Sequence, residues 1–111
     1  PVVHGVSVDK EYDAHAIKFS KEIDRLVFTG TFKKGTDVEV ILYQKMRSYS
    51  YPISISKKPY TALCVDVFSE EETAKGLTVT RYINAEGLSG KYAIYLKIDG
   101  KIYNTGEYVR F

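Results

Sequence analysis

Tyr92, Ile94, Leu96 and Ile98 alternate with Ala93, Tyr95 and Lys97. A period of two places alternate side chains on opposite faces of an extended strand, so this segment buries one face and presents the other. Asp99-Gly100 follows, a pair that accepts the positive φ angles of a type I′ turn. Lys101 to Val109 then reads as the returning strand. With a two-residue loop, Leu96 faces Tyr103 and Ile94 faces Thr105, and Gly106 marks a bulge before Tyr108. No helix fits this pattern.

The same alternation recurs upstream. Leu26, Phe28 and Phe32 share one face of a strand, Lys33-Lys34-Gly35-Thr36 turns the chain, and Val38, Val40 and Leu42 line the return, with Glu39 on its other face. Tyr51 to Ser56 alternates around Pro52, which lacks a backbone donor and so predicts an edge strand. Tyr60 to Phe68 reads as a strand with Leu63, Val65 and Val67 inward, and Leu77 to Tyr82 as another. Between them, Ser69-Glu70-Glu71-Glu72 resembles a capping box, with Gly76 ending one helical turn; a plain acidic loop fits equally. Val2 to Val8 alternates around His4 and Ser7 as a first strand, extended after a kink by His15 to Phe19. Lys18 to Arg25 has charges at helical spacing without an apolar stripe. Seven or eight short strands joined by turn-rich loops predict an all-β fold, two antiparallel sheets packed as a sandwich.

At 111 residues the chain holds one domain, residues 1–111, large enough for a core without metal or disulfide. Cys64 is the sole cysteine, so no intramolecular disulfide forms. The net charge of +2 comes from 16 basic and 14 acidic residues, with only Lys33-Lys34 and Lys57-Lys58 adjacent among the basic ones. That dispersion argues against a nucleic-acid partner. No apolar run reaches the length of a membrane span, and no signal peptide is visible, so direct membrane insertion is not expected. The chain starts at Pro1 rather than Met, as expected of a processed product or a piece of a larger protein.

Leu88-Ser89-Gly90-Lys91-Tyr92 is the most diagnostic short stretch. It resembles the tyrosine corner of immunoglobulin-like and fibronectin type III domains, in which a Tyr hydroxyl bonds nearby backbone while its ring enters the core. Leu88, Gly90 and Tyr92 would form that corner. The order of features, from the Leu26–Phe32 strand through Arg47 to Ile55, then Gly76 and Leu88 to Tyr92, also resembles the β-sandwich accessory modules of Gram-positive cell-surface proteins, including those attached to teichoic acid and capsule enzymes. This resemblance implies a non-catalytic module in the cell envelope or outside the cell. Its partners would be a glycan or cell-wall polymer and other domains of a parent chain. A cytoplasmic location is the alternative.

The residues themselves name no reaction. His4 and His15 are the only histidines, and Asp13-Ala14-His15 lacks the further ligands of a metal site. Ser89-Gly90 lacks the preceding Gly of a nucleophile elbow. Cys64 sits among apolar neighbours, where a thiol behaves as a small hydrophobe. No glycine cluster cradles a phosphate, and Glu70 to Glu72 read as a solvated acidic loop or a weak cation site. Neither an enzyme nor a cofactor is expected.

The chain has 10 Tyr and no Trp. Tyrosine suits strands, and it also suits contact surfaces, because its ring is apolar and its hydroxyl polar. Tyr43, Arg47, Tyr49 and Tyr51 cluster in nine residues with Gln44, Lys45 and two serines. Rings stack on sugars or peptides, and Arg and Gln add directional hydrogen bonds. Tyr60 and Tyr82 would join them at a ligand site. The alternative is an edge strand whose tyrosines cover the sheet rim. Two function classes follow: a binding module for a glycan, an anionic polymer or a protein, and a structural or oligomerising spacer without a ligand.

Overall fold

The computed structural model of the chain describes residues 15–55 and 67–111. The strand expected over Val2 to Val8 lies outside them, as do His4, Tyr60, Cys64 and the Lys57-Lys58 pair. Eight strands follow in order: β1 His15–Glu22, β2 Arg25–Phe32, β3 Asp37–Gln44, β4 Arg47–Ser54, β5 Val67–Thr73, β6 Gly76–Asn84, β7 Lys91–Ile98 and β8 Lys101–Arg110. They form two four-stranded antiparallel sheets, β1-β2-β6-β5 and β4-β3-β7-β8. The described residues thus build an all-β sandwich. Its strand order is compatible with an immunoglobulin-like fold, in which strands A-B-E-D form one sheet and C′-C-F-G the other.

The alternating residues meet in one core. Leu26, Phe28 and Phe32 of β2 and Leu77, Val79 and Ile83 of β6 face Val38, Val40 and Leu42 of β3 and Tyr92, Ile94, Leu96 and Ile98 of β7. Gly30 shares the inward face of β2. A Cβ there would lie 2.7 Å from the Phe32 ring, so the missing side chain admits the Phe28–Phe32 contact, with ring centroids 6.0 Å apart. Burying a side chain of this size stabilises by about 1.5–3 kcal/mol, which makes the shared face the main cohesive force.

One local expectation is corrected. Ser69 to Glu72 is neither a capped helical turn nor an acidic loop; it lies within β5, paired with β6 from Ser69↔Thr80 to Glu72↔Leu77. The charges from Lys18 to Arg25 belong to β1 and its tight turn into β2, with Glu22 facing Arg25. Charged residues alternate across an exposed edge strand as readily as along a helix, and the absent apolar stripe decided against the helix. β1 carries a register shift between His15 and Lys18 with Ala16 at φ 53°, whereas the kink expected before His15 lies outside the described residues.

One inward position on β6 is polar. Arg81 shares the parity of Val79 and Ile83 and is 4% exposed. Its Nη2 donates to Glu70 Oε2 on β5 at 2.9 Å and to the Ser54 carbonyl on β4 at 3.2 Å. Nη1 reaches the Ser69 carbonyl at 3.4 Å. One guanidinium therefore ties the two sheets together along the β5 and β4 margin. Glu70 Oε1 is buried and has no partner among the described residues.

The Arg81–Glu70 pair generates a stability prediction. Removing one partner of a buried pair strands the other charge and costs about 3–5 kcal/mol, whereas replacing both with apolar residues of similar volume is close to neutral. Arg81→Met should lower the unfolding free energy by that much, and Arg81→Met with Glu70→Leu should recover most of the loss. Urea unfolding measures both. An Arg81→Met variant as stable as the parent would remove the pair from the account.

Candidate functional site

The sandwich has two outward faces, and they differ in chemistry. On the β2 and β6 side, the outward positions hold Thr29 and Thr31 against Thr80 and Thr78, hydroxyl to hydroxyl at 3.2 and 2.7 Å. Tyr82 lies on this face too, with the Arg25 guanidinium stacked 4.1 Å from its ring centroid. Arg25 in turn pairs with Glu22 at 3.0 Å. These groups satisfy one another across the sheet.

The outward face of β4-β3-β7-β8 is aromatic. Register places Tyr43 of β3 beside Ala93 of β7, and Ala93 beside Tyr108 of β8; one row along, Ile41 lies beside Tyr95. The Tyr43 and Tyr95 rings meet edge to face with centroids 6.2 Å apart. Tyr43 is 40% exposed, Tyr108 49% and Ile102, farther along β8, 58%. The other strongly exposed apolar side chains, Ile23 and Met46, sit singly at turns. Among the described residues, exposed aromatic and aliphatic surface therefore gathers on this one face. Contiguous exposure of that kind marks interaction surfaces, whereas isolated apolar residues do not.

A bulge in β8 sets the composition of the row. From Lys97↔Ile102 to Tyr95↔Asn104 the pairing is regular; at Ala93 the partner is Tyr108, so β8 carries two more residues than β7 over this interval. Regular pairing would have put Gly106 opposite Ala93. The expected Ile94–Thr105 facing is lost to the bulge, and Thr105 folds its side chain inward, where its hydroxyl donates to the Ile94 carbonyl at 2.6 Å. The backbone N–H of Gly106 bonds to Asn104 Oδ1 at 2.9 Å, and Gly106 takes φ 78°, which glycine alone accepts without strain.

The residues singled out in the sequence are thus divided between faces. Tyr43 is on the aromatic outer face. Tyr49 and Tyr51 lie on the inward side of β4, opposite Leu42 and Val40, and pack half-buried against the core. Burial raises the Tyr51 phenol above its ordinary pKa, and the neighbouring Tyr49 and Tyr92 hydroxyls add to the shift. Arg47 is exposed where β4 begins, beside Gln44. Tyr82 is on the opposite sheet, and Tyr60 lies outside the described residues. Tyr95 and Tyr108, which complete the outer face, were missed because they sit far along the chain from Tyr43. The signal available was the parity of the β7 hairpin, in which Tyr95 alternates with the buried set.

Leu88, Gly90 and Tyr92 hold the end of this sheet. Tyr92 is 2% exposed, and its hydroxyl accepts the Ser89 N–H at 3.3 Å, the geometry of a tyrosine corner. Leu88 is half-buried against the core. Gly90, at φ 95°, exchanges backbone hydrogen bonds with Phe111. Its Cβ would lie 2.4 Å from Gln44 Nε2, which bonds the Ser89 carbonyl at 3.0 Å. Gln44 therefore clasps the corner.

Comparison of the chain with protein-family models, with curated proteins and with solved structures returns no match. The site has to be judged on its own chemistry. Among the described residues no three His, Cys, Asp or Glu side chains gather in a way that would hold a metal ion. No described helix is long and apolar enough to cross a membrane.

Two shallow concavities lie at opposite ends of the β4-β3-β7-β8 sheet. One, about 480 Å³, is bordered by Asp37, Glu39, Pro52 and Lys97. The other, about 330 Å³, is bordered by Lys91, Glu107, Tyr108, Val109 and Arg110. The first has two carboxylates to one cation, and the second two cations to one carboxylate.

The corner gives a prediction separate from binding. Tyr92→Phe keeps the buried ring and removes the acceptor for Ser89 N–H, so it should cost about 1 kcal/mol, the net value of one such bond. Thermal or urea unfolding measures it. An unchanged midpoint would show that the hydroxyl contributes nothing to the loop.

Proposed function

We propose that this domain is a non-catalytic binding module of a bacterial cell-surface or polysaccharide-related protein, and that its ligand lies across the outer face of the β4-β3-β7-β8 sheet. The observation that carries this reading is the grouping of Tyr43, Tyr95 and Tyr108 on that face. A sugar ring has one apolar face of C–H groups and a rim of hydroxyls. Tyrosine offers an apolar ring with a polar tip, so it matches both parts of such a ligand. The resemblance to accessory modules of Gram-positive wall-polymer proteins supports the same assignment, with the cell envelope as its setting. The module would hold a glycan or anionic polymer near a parent enzyme and carry out no chemistry itself.

A second reading rests on Ile102. At 58% exposure on edge strand β8, next in register to Lys97, it extends the tyrosine face with a purely aliphatic group. That group suits a protein partner or a neighbouring domain better than a sugar.

A glycan array probed with the parent and with Tyr43→Ala, Tyr95→Ala and Tyr108→Ala separates the two. The binding reading predicts retained glycans for the parent and about five- to tenfold loss for each variant, the effect of removing one stacking contact worth roughly 1–1.5 kcal/mol. Surface truncation should change stability by only about 0.5 kcal/mol. No retained glycan, with Ile102→Asp abolishing association with a parent-chain segment, would replace it with the protein-partner reading.

A further inference from the structure

We infer that the concavity beside Tyr108 is a subsite for an acidic sugar unit, a pyranose ring that carries its own carboxylate. The inference rests on the sugar-binding reading of the tyrosine face and adds to it the charge and the location of the unit recognised.

The first observation is a like-charge pair. Lys91 and Arg110 are direct cross-strand partners at the end of the β7–β8 ladder. Both are exposed, and both point to the outer face by the parity of Ala93 and Tyr108. Like charges directly opposite one another on a sheet are destabilising. The ion pairs among the described residues are Arg25–Glu22, Lys34–Glu72 and Arg81–Glu70, and none neutralises Lys91 or Arg110. The two extra residues of the β8 bulge create this arrangement, since regular pairing would have set Tyr108 opposite Lys91 and carried Arg110 beyond it. An anion bound between them would offset the repulsion.

The second observation is that positive charge and aromatic surface are presented together. Lys91 Nζ stands 4.5 Å from the centroid of the Tyr108 ring. The ammonium lies over one face of that ring, so a ligand that stacks on Tyr108 takes the other face, or displaces Lys91 from the first, and meets the ammonium within the breadth of one ring. A uronic acid has this layout, because its carboxylate is attached to the ring it stacks with. A polyol phosphate lacks it: its charge lies on a flexible chain with no ring beside it.

Size and lining agree with a single unit. At about 330 Å³ the concavity is near the lower end of the roughly 300–1,000 Å³ range of ligand sites. Glu107, which also borders it, supplies an acceptor for ring hydroxyls, while the two cations take the carboxylate in charge-assisted hydrogen bonds. The concavity at the other end, with Asp37 and Glu39 on its border, repels the same group. An acidic saccharide is thus directed to the Lys91 end of the tyrosine face.

The test is calorimetric titration of the 111-residue chain with three probes: an oligogalacturonate, its methyl ester of equal length, and a glycerol phosphate oligomer. The oligogalacturonate should bind, and the ester should bind about a hundredfold more weakly, the effect of losing charge assistance from both cations. Lys91→Gln and Arg110→Gln should each weaken the acid about tenfold and leave the ester unchanged. Ester and acid of equal affinity, both lost in Tyr108→Ala, would overturn the acidic subsite and leave the tyrosine platform standing. Tighter binding of the glycerol phosphate oligomer would overturn the choice of carboxylate. No binding of any probe would overturn both the subsite and the platform.

Discussion

The ladder between β3 and β7 sits at the centre of one sheet, and its register decides what the molecule hides and what it shows. Val40 pairs with Leu96 and Leu42 with Ile94, all of them inward and fully buried. The intervening positions, Ile41 with Tyr95 and Tyr43 with Ala93, must then face out. A slip of one residue would drive the charged Glu39 and Lys97 inward and expose the aliphatic core, so the register is strongly specified by burial. The aromatic outer face is thus a consequence of the same constraint that holds the sandwich together. The buried core and the proposed binding face occupy alternate residues of the same strands.

The two sheets use their outward positions differently. The threonine pairs of β2 and β6 bond to each other, and Tyr82 is covered by Arg25, so that face satisfies its polar groups internally. On the other sheet, Tyr108 and Ile102 remain about half exposed, and cations near Tyr108 lack carboxylate partners among the described residues. Rigid strands hold the outer tyrosines, and the bulge in β8 is fixed by the Thr105 and Asn104 side chains. A surface held this way loses little entropy when it meets a ligand.

The all-β sandwich was legible in the sequence because alternation and turn chemistry agree. The β7–β8 hairpin has the expected two-residue turn, with Asp99 and Gly100 both at positive φ, and Leu96 faces Tyr103. What local pattern did not reveal was long-range. Glu70 reads as one of three solvated carboxylates until Arg81, eleven residues on, is seen to bury with it; neither the partner nor the burial has a local signature. The aromatic outer face was concealed for the same reason. Tyr43, Tyr49 and Tyr51 are neighbours in sequence but lie on opposite sides of the sheet, while Tyr43, Tyr95 and Tyr108 come together only through strand order. Composition pointed to tyrosine, and topology determined which tyrosines share a surface.

The central claim is that the ligand occupies the outer face of β4-β3-β7-β8, and mapping amide chemical shifts during titration tests it most directly. On addition of an acidic oligosaccharide to the isotopically labelled domain, the account predicts perturbations concentrated at Tyr43, Lys91, Ala93, Tyr95, Tyr108 and Arg110, with Thr29, Thr80 and Tyr82 unmoved. Perturbations centred instead on Thr29, Thr80 and Tyr82, or confined to the turns, would contradict it.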